Sequence, residues 1–149
     1  MADIHFVVSV EFDQPARRVW DELIDWKAHE AWIPMTRVEI HDADSTAVGS
    51  TFTAWTGPGP LALEDRMRVA VCDWSETTGS GSCTVDKLGP VLDGEARFTV
   101  TPRGDDSVVK WTEDVAISWL PGFLGKPVAW IGAAGFRFGM RRLRRSFSD

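Results

Sequence analysis

A chain of 149 residues with 44% hydrophobic and 26% charged side chains is about one domain's worth, and nothing in it has the composition of a disordered tail. The formal charge is −6, and five of the arginines crowd between Arg137 and Arg145, so the remainder is more acidic than the total implies and argues against general nucleic-acid binding. Eight tryptophans with no tyrosine supply wide indole walls, which suit a packed core or an apolar pocket.

Met1 to His5 carries no basic and apolar leader, and the apolar run Val128 to Phe136 is too short to cross a bilayer. A soluble cytoplasmic protein without stable membrane insertion is expected. Cys72 and Cys83 stand in no metal or redox spacing and read as free thiols. His5, His29 and His41 are scattered, so neither a metal site nor a cofactor is expected.

In chain order, Ile4, Phe6, Val8, Val10 and Phe12 alternate with more polar positions and predict a half-buried strand over 4–12. Asp13-Gln14-Pro15 signals a helix start, and Val19, Trp20, Leu23 and Ile24 give that helix its apolar side up to Trp26. A second short helix ends near Trp32, stopped by Pro34; His29 reads as an exposed residue of it, with a proton-donor role as the alternative. From Met35 to Trp119 the pattern is strand and turn.

Val38 and Ile40 mark one strand and Val48 to Thr56 another, closed by the breaker Gly57-Pro58-Gly59-Pro60. A longer strand, Leu61 to Trp74, has apolar residues at Leu61, Leu63, Met67, Val69 and Val71, and strands follow at Ser82 to Leu88, Gly94 to Pro102 and Val108 to Trp119. Gly104-Asp105 is a two-residue hairpin centre that pairs Val100 with Val109, Phe98 with Trp111 and Ala96 with Glu113.

The chain closes with a helix over Pro127 to Phe147. Its main apolar face is Ala129, Ala133, Phe136, Met140, Leu143 and Phe147, with Gly132 and Gly139 beside it. Arg137, Arg141 and Arg145 form a stripe expected to stay in water, with attraction to an anionic membrane as the alternative. Trp130, Ile131 and Phe138 fall outside the face, so the first half of the helix demands cover on more than one side.

Three charged residues point the wrong way for a simple core. Alternation that turns Met67 inward also turns Asp65 inward; Trp111 does the same for Glu113, and Val85 for Lys87. With Lys87 opposite Ala96, and Ala96 opposite Glu113, the three are expected to meet as one polar cluster. Its possible roles are a structural ion pair, orientation of a ligand, or acid/base catalysis.

The order of strand, two helices, six strands and long helix resembles the SRPBCC superfamily. So do Asp13-Gln14-Pro15 with Val19-Trp20, Asp25-Trp26 followed by Trp32-Ile33-Pro34, Gly49 with Phe52, and Gly59-Pro60-Leu61 with Glu64 to Val69. The superfamily includes START lipid-transfer domains, pollen-allergen-like proteins and polyketide cyclase/dehydrase-like proteins. The resemblance implies a single α+β domain over 1–149 with the helix-grip fold: two short helices after the first strand, and a curved antiparallel sheet of about seven strands wrapped around a long C-terminal helix. On that fold Trp32, Asp65, Met67, Lys87, Phe98, Trp111, Glu113, Phe136 and Met140 are the candidate ligand-binding residues. A small apolar ligand such as a lipid or polyketide-like molecule is the expected partner. An enzyme of the polyketide cyclase/dehydratase kind is one alternative. A protein-interaction module with a filled interior, using Trp119 to Leu124, is another.

Overall fold

The computed structural model describes residues 1–148. The chain forms β1 (Ala2–Phe12), α1 (Ala16–Leu23), a 3₁₀ turn (Trp26–Ala28) running into α2 (His29–Trp32), then β2 (Thr36–Ile40), β3 (Thr51–Thr56) and β4 (Leu63–Ser75). After these come β5 (Ser80–Leu88), β6 (Leu92–Arg103), β7 (Asp106–Ile117) and α3 (Gly125–Ser146). All pairings are antiparallel in one seven-stranded sheet of order β1-β7-β6-β5-β4-β3-β2. This is the helix-grip arrangement.

Strand alternation sets the inner face. Along β1, Ile4, Val8, Val10 and Phe12 are buried, and β7 buries Val109, Trp111, Glu113 and Val115. The β6–β7 hairpin turns at Gly104, φ +63°, and pairs Val100 with Val109, Phe98 with Trp111 and Ala96 with Glu113, as its turn chemistry predicts. Indoles fill the layer beneath the short helices. Trp26 stacks on Phe52 at 4.6 Å, Phe98 stacks on Trp111 at 5.0 Å, and Trp20 lies over Gly81, where a Cβ would come within 2.4 Å of the ring.

Glycines seat α3. Gly125, Gly132 and Gly139 recur every seven residues, two helical turns apart, so they lie on one side of the helix. A Cβ on them would stand 2.7 Å from the Asp3 carbonyl oxygen, 2.8 Å from the Phe6 ring and 2.7 Å from the Trp32 carbonyl oxygen. The helix therefore lies closer to β1 and α2 than any side chain permits.

Five expectations need correction. Strand β4 starts at Leu63, with Leu61 exposed in a 3₁₀ turn, and a bulge between Val69 and Val71 reverses the alternation. Val71 consequently faces outward, while Cys72 and Trp74 turn toward the core. Strand β3 begins only at Thr51, since Gly49, φ +93°, turns the chain and leaves Val48 exposed. Lys87 pairs with Gly94 rather than Ala96, two positions from the expected register. Trp130, Ile131 and Phe138 remain exposed, so nothing among the described residues covers the outer side of α3. His29 is buried, because the 3₁₀ turn at Trp26–Ala28, with three residues per turn, carries Trp26, His29 and Trp32 inward together. Cys72 and Cys83 lie directly opposite each other as free thiols.

Candidate functional site

Between the concave face of the sheet and the first half of α3 lies a cavity of about 250 Å³. Its floor is aromatic and aliphatic: Phe52 and Ala54 from β3, Met67 from β4, Phe98 from β6, Trp111 from β7. Val128, Gly132 and Phe136 of α3 form the opposing wall, and Trp26, His29 and Ile33 close one side. Apolar walls of this kind bind by removing apolar surface from water.

Three charged groups interrupt the floor. Strands β4, β5 and β7 project Asp65, Lys87 and Glu113 inward, and their side chains are only 16%, 5% and 8% exposed. The Lys87 ammonium donates to Asp65 Oδ2, lies 3.9 Å from Glu113 Oε2, and donates weakly to the Met67 thioether at 3.4 Å. The Trp111 indole N–H donates to Glu113 Oε1 at 2.9 Å. No described protein group donates to Asp65 Oδ1.

The electrostatics follow from one ammonium shared by two carboxyls. Burial pulls the Lys87 pKa down, yet the Asp65 and Glu113 charges outweigh it and hold the ammonium above the usual lysine range. Glu113 moves up from the ordinary carboxyl value, chiefly because burial penalises its anion, with Lys87 opposing. Two carboxyls thus share one ammonium, and the site is held by that shared cation rather than by a separate partner for each charge.

His29 adds a neutral imidazole. Burial lowers its pKa to about 4, and its Nε2 lies 2.7 Å from the Leu23 carbonyl oxygen. Nε2 therefore carries the proton and Nδ1 is left as an acceptor. Rings of Trp26, Trp32 and Trp111 surround it at 5.6, 4.9 and 6.2 Å. Among the described residues no group of three or more His, Cys, Asp or Glu side chains is arranged to hold a metal ion.

Of the candidate residues, Asp65, Met67, Lys87, Phe98, Trp111, Glu113 and Phe136 come together on the cavity wall. Trp32 and Met140 do not. Both are fully packed, Trp32 beneath Gly139 and against Trp111 and Phe136, and Met140 in the same core.

The sequence pattern of the family described as polyketide cyclase / dehydrase and lipid transport matches residues 3–148. The chain belongs to this family. No curated protein sequence matches it. Solved structures agree on the fold. A START superfamily protein from Mycobacterium smegmatis is similar at TM-score 0.72 and 15% identity, covering 96% of this chain and 98% of that one. A protein from Thermobifida fusca is similar at TM-score 0.66 and 23% identity, over 97% and 91% of the two chains. The major latex-like protein 151 of Panax ginseng is similar at TM-score 0.65 and 14% identity, over 98% of each.

Within this family member, Phe6, Trp26, His29 and Val128 also line the cavity, beyond the nine residues named as ligand-binding. The three-residue spacing of Trp26, His29 and Trp32 is the signal that marks a 3₁₀ turn with one buried side. Phe6 lies on the inward face of β1 that alternation marks, and Gly132 lets α3 close down on its ring.

Proposed function

We propose that the protein binds a compact, mostly apolar molecule carrying one hydroxyl or carbonyl group in the cavity beneath α3. The observation that carries this reading is the Lys87 cluster: a buried ammonium with unspent donor capacity on the wall of an otherwise apolar cavity. An ammonium has three N–H donors. One goes to Asp65 and one only to a thioether, while Glu113 lies too far for a normal hydrogen bond. A ligand oxygen accepts from Lys87, and a ligand hydroxyl also donates to the free Asp65 Oδ1. A ligand carboxylate is disfavoured, because two carboxyls already share the single cation. At about 250 Å³ the cavity falls just below the roughly 300–1,000 Å³ of drug-sized pockets and suits one or two fused rings or a short acyl chain.

The test is displacement of the neutral dye N-phenylnaphthylamine by naphthalene, naphthol and naphthoate. Naphthol should compete best and naphthoate worst. Ala54→Phe, which fills the cavity from β3, should abolish saturable dye uptake, whereas Trp119→Ser outside it should not. Uptake indifferent to Ala54→Phe, or naphthoate competing best, refutes the reading.

A catalytic reading has one observation in its favour. Glu113, whose burial raises its pKa, and neutral His29, with Nδ1 as acceptor, both line the cavity and place two proton-exchanging groups beside one bound molecule. Turnover of a polyketone that His29→Phe and Glu113→Gln each abolish without loss of binding would establish it. The interaction-module alternative calls for a filled interior, and the cavity favours binding or catalysis over it.

A further inference from the structure

The outer side of α3 has no role in the cavity and is unusual for a monomer's surface. Trp130 is 75% exposed, Ile131 63% and Phe138 52%. Together with Ala134 they occupy an arc of about 100° on the helix, opposite Gly132, Phe136 and Leu143. Seven residues before Trp130, the turn that feeds the helix exposes Phe123, and Trp119 is exposed just ahead of it. Contiguous apolar surface of this kind marks an interaction site.

The charge on the same helix selects the occupant. Gly125–Ser146 carries six basic side chains and no acidic one, on a chain whose formal charge is −6. Arg144 is held by Asp13 at 3.0 Å. Arg137, Arg141, Arg142 and Arg145 make no ion pair among the described residues. On the wheel Arg137 borders the apolar arc on one side and Arg142 on the other, while Arg141 and Arg145 continue the same side of the helix beyond Phe138 and close its end. A second copy docked through this face would bury arginines from both chains with no carboxylate on either helix to pair them.

We propose that this face of α3 docks on an anionic lipid bilayer. Trp130, Ile131 and Phe138 enter the boundary between headgroups and acyl chains, and the arginines reach outward to lipid phosphates. No helix of the described residues is long and apolar enough to cross a membrane, so the contact is interfacial. The docking face lies on the side of α3 away from the cavity and stands whether or not the cavity holds a ligand. If both readings hold, the helix that walls the cavity is also the one that lies on the membrane.

The experiment is co-sedimentation of the full chain with vesicles of phosphatidylcholine alone and of phosphatidylcholine mixed with phosphatidylserine. Binding should require the anionic lipid and fall steeply as salt is raised. Trp130→Ser/Phe138→Ser should weaken it at least about tenfold, and Arg141→Ser/Arg145→Ser about thirtyfold. Both variants should keep the wild-type circular dichroism and N-phenylnaphthylamine uptake, which separates loss of docking from unfolding and from loss of the cavity. No co-sedimentation at low salt, equal binding to both vesicles, or a dimer that Trp130→Ser dissociates and anionic vesicles do not, would overturn the proposal.

Discussion

Replacing Lys87 by methionine removes the one cation from a site with two carboxyls and keeps an unbranched chain one heavy atom shorter. Two unit charges about 4 Å apart attract by about 4 kcal/mol at the effective dielectric that describes buried sites. Lys87 holds such relations with Asp65 by direct contact and with Glu113 at 3.9 Å. Removing one partner of a buried ion pair costs about 3–5 kcal/mol, a large part of the roughly 5–15 kcal/mol that holds a domain folded. Lys87→Met should therefore lower the urea midpoint, followed by far-ultraviolet circular dichroism, by about 2 M for an m-value near 2 kcal/mol/M.

The pH dependence sharpens the test. Glu113 has a folded pKa above its unfolded value, so the folded state binds more protons between the two, and its contribution to stability declines as pH rises through that window. Lys87 opposes the upward shift. Without it the folded pKa climbs, the window widens upward, and the cost of the substitution grows with pH. The loss should be larger near pH 8 than near pH 5. A loss below about 1 kcal/mol, or an equal loss at both pH values, refutes the buried ion cluster. The companion variant Asp65→Leu/Lys87→Met/Glu113→Leu should regain most of the stability, since an apolar replacement of a whole buried ion group is often neutral or stabilising.

His29 acts with the opposite sign. Its folded pKa of about 4 lies below the ordinary histidine value of 6.5, so its contribution is present above about 6.5 and is lost as pH falls toward 4. Between pH 6.5 and 5 this should cost about 2 kcal/mol, a slope that His29→Gln should flatten in urea titrations; an unchanged slope would refute the assignment. On α3, Gly135→Ala meets nothing within 4 Å and should gain up to about 1 kcal/mol of helix propensity. Gly139→Ala puts its Cβ 2.7 Å from the Trp32 carbonyl and should cost about 1–3 kcal/mol. For a domain of this size those changes move Tm by about +2 to +4 °C and by several degrees downward; equal effects would mean that α3 is not seated on α2 through Gly139.

The inward direction of Asp65, Lys87 and Glu113 was legible because a strand has a period of two. The register of β5 on β6 was not, and Lys87 sits opposite Gly94 instead of Ala96. A shift of two residues leaves every side chain on its own face, so the cluster assembles despite the error. The bulge between Val69 and Val71 does the opposite: one extra residue reverses faces, and no glycine or proline announces it. It falls beyond Asp65 and Met67, so the cavity floor escapes and only Val71, Cys72 and Trp74 change sides. His29 reads as an exposed helix residue, yet the turn before it has a period of three and carries it inward with Trp26 and Trp32. The outward face of α3 posed a different problem. Apolar residues on it were read as needing cover from the chain itself, and a sequence does not say whether cover comes from within or from outside.

Why a cavity persists in so aromatic an interior follows from where α3 rests. Its glycines at 125, 132 and 139 let it press on Asp3 and Phe6 of β1 and on Trp32 of α2. They seat the helix toward one edge of a seven-stranded sheet whose other edge is β2. The floor between is left to Asp65 on β4, Lys87 on β5 and Glu113 on β7. Had stability alone shaped that floor, apolar residues would have filled it at no loss. Charged groups kept dry beside about 250 Å³ of space, with one ammonium underused and one carboxylate oxygen unpartnered, are better explained by a molecule that enters and uses them. The triple apolar variant separates the two explanations: wild-type stability with lost preference for naphthol over naphthalene assigns the cluster to the ligand, and an unchanged preference assigns it to the fold.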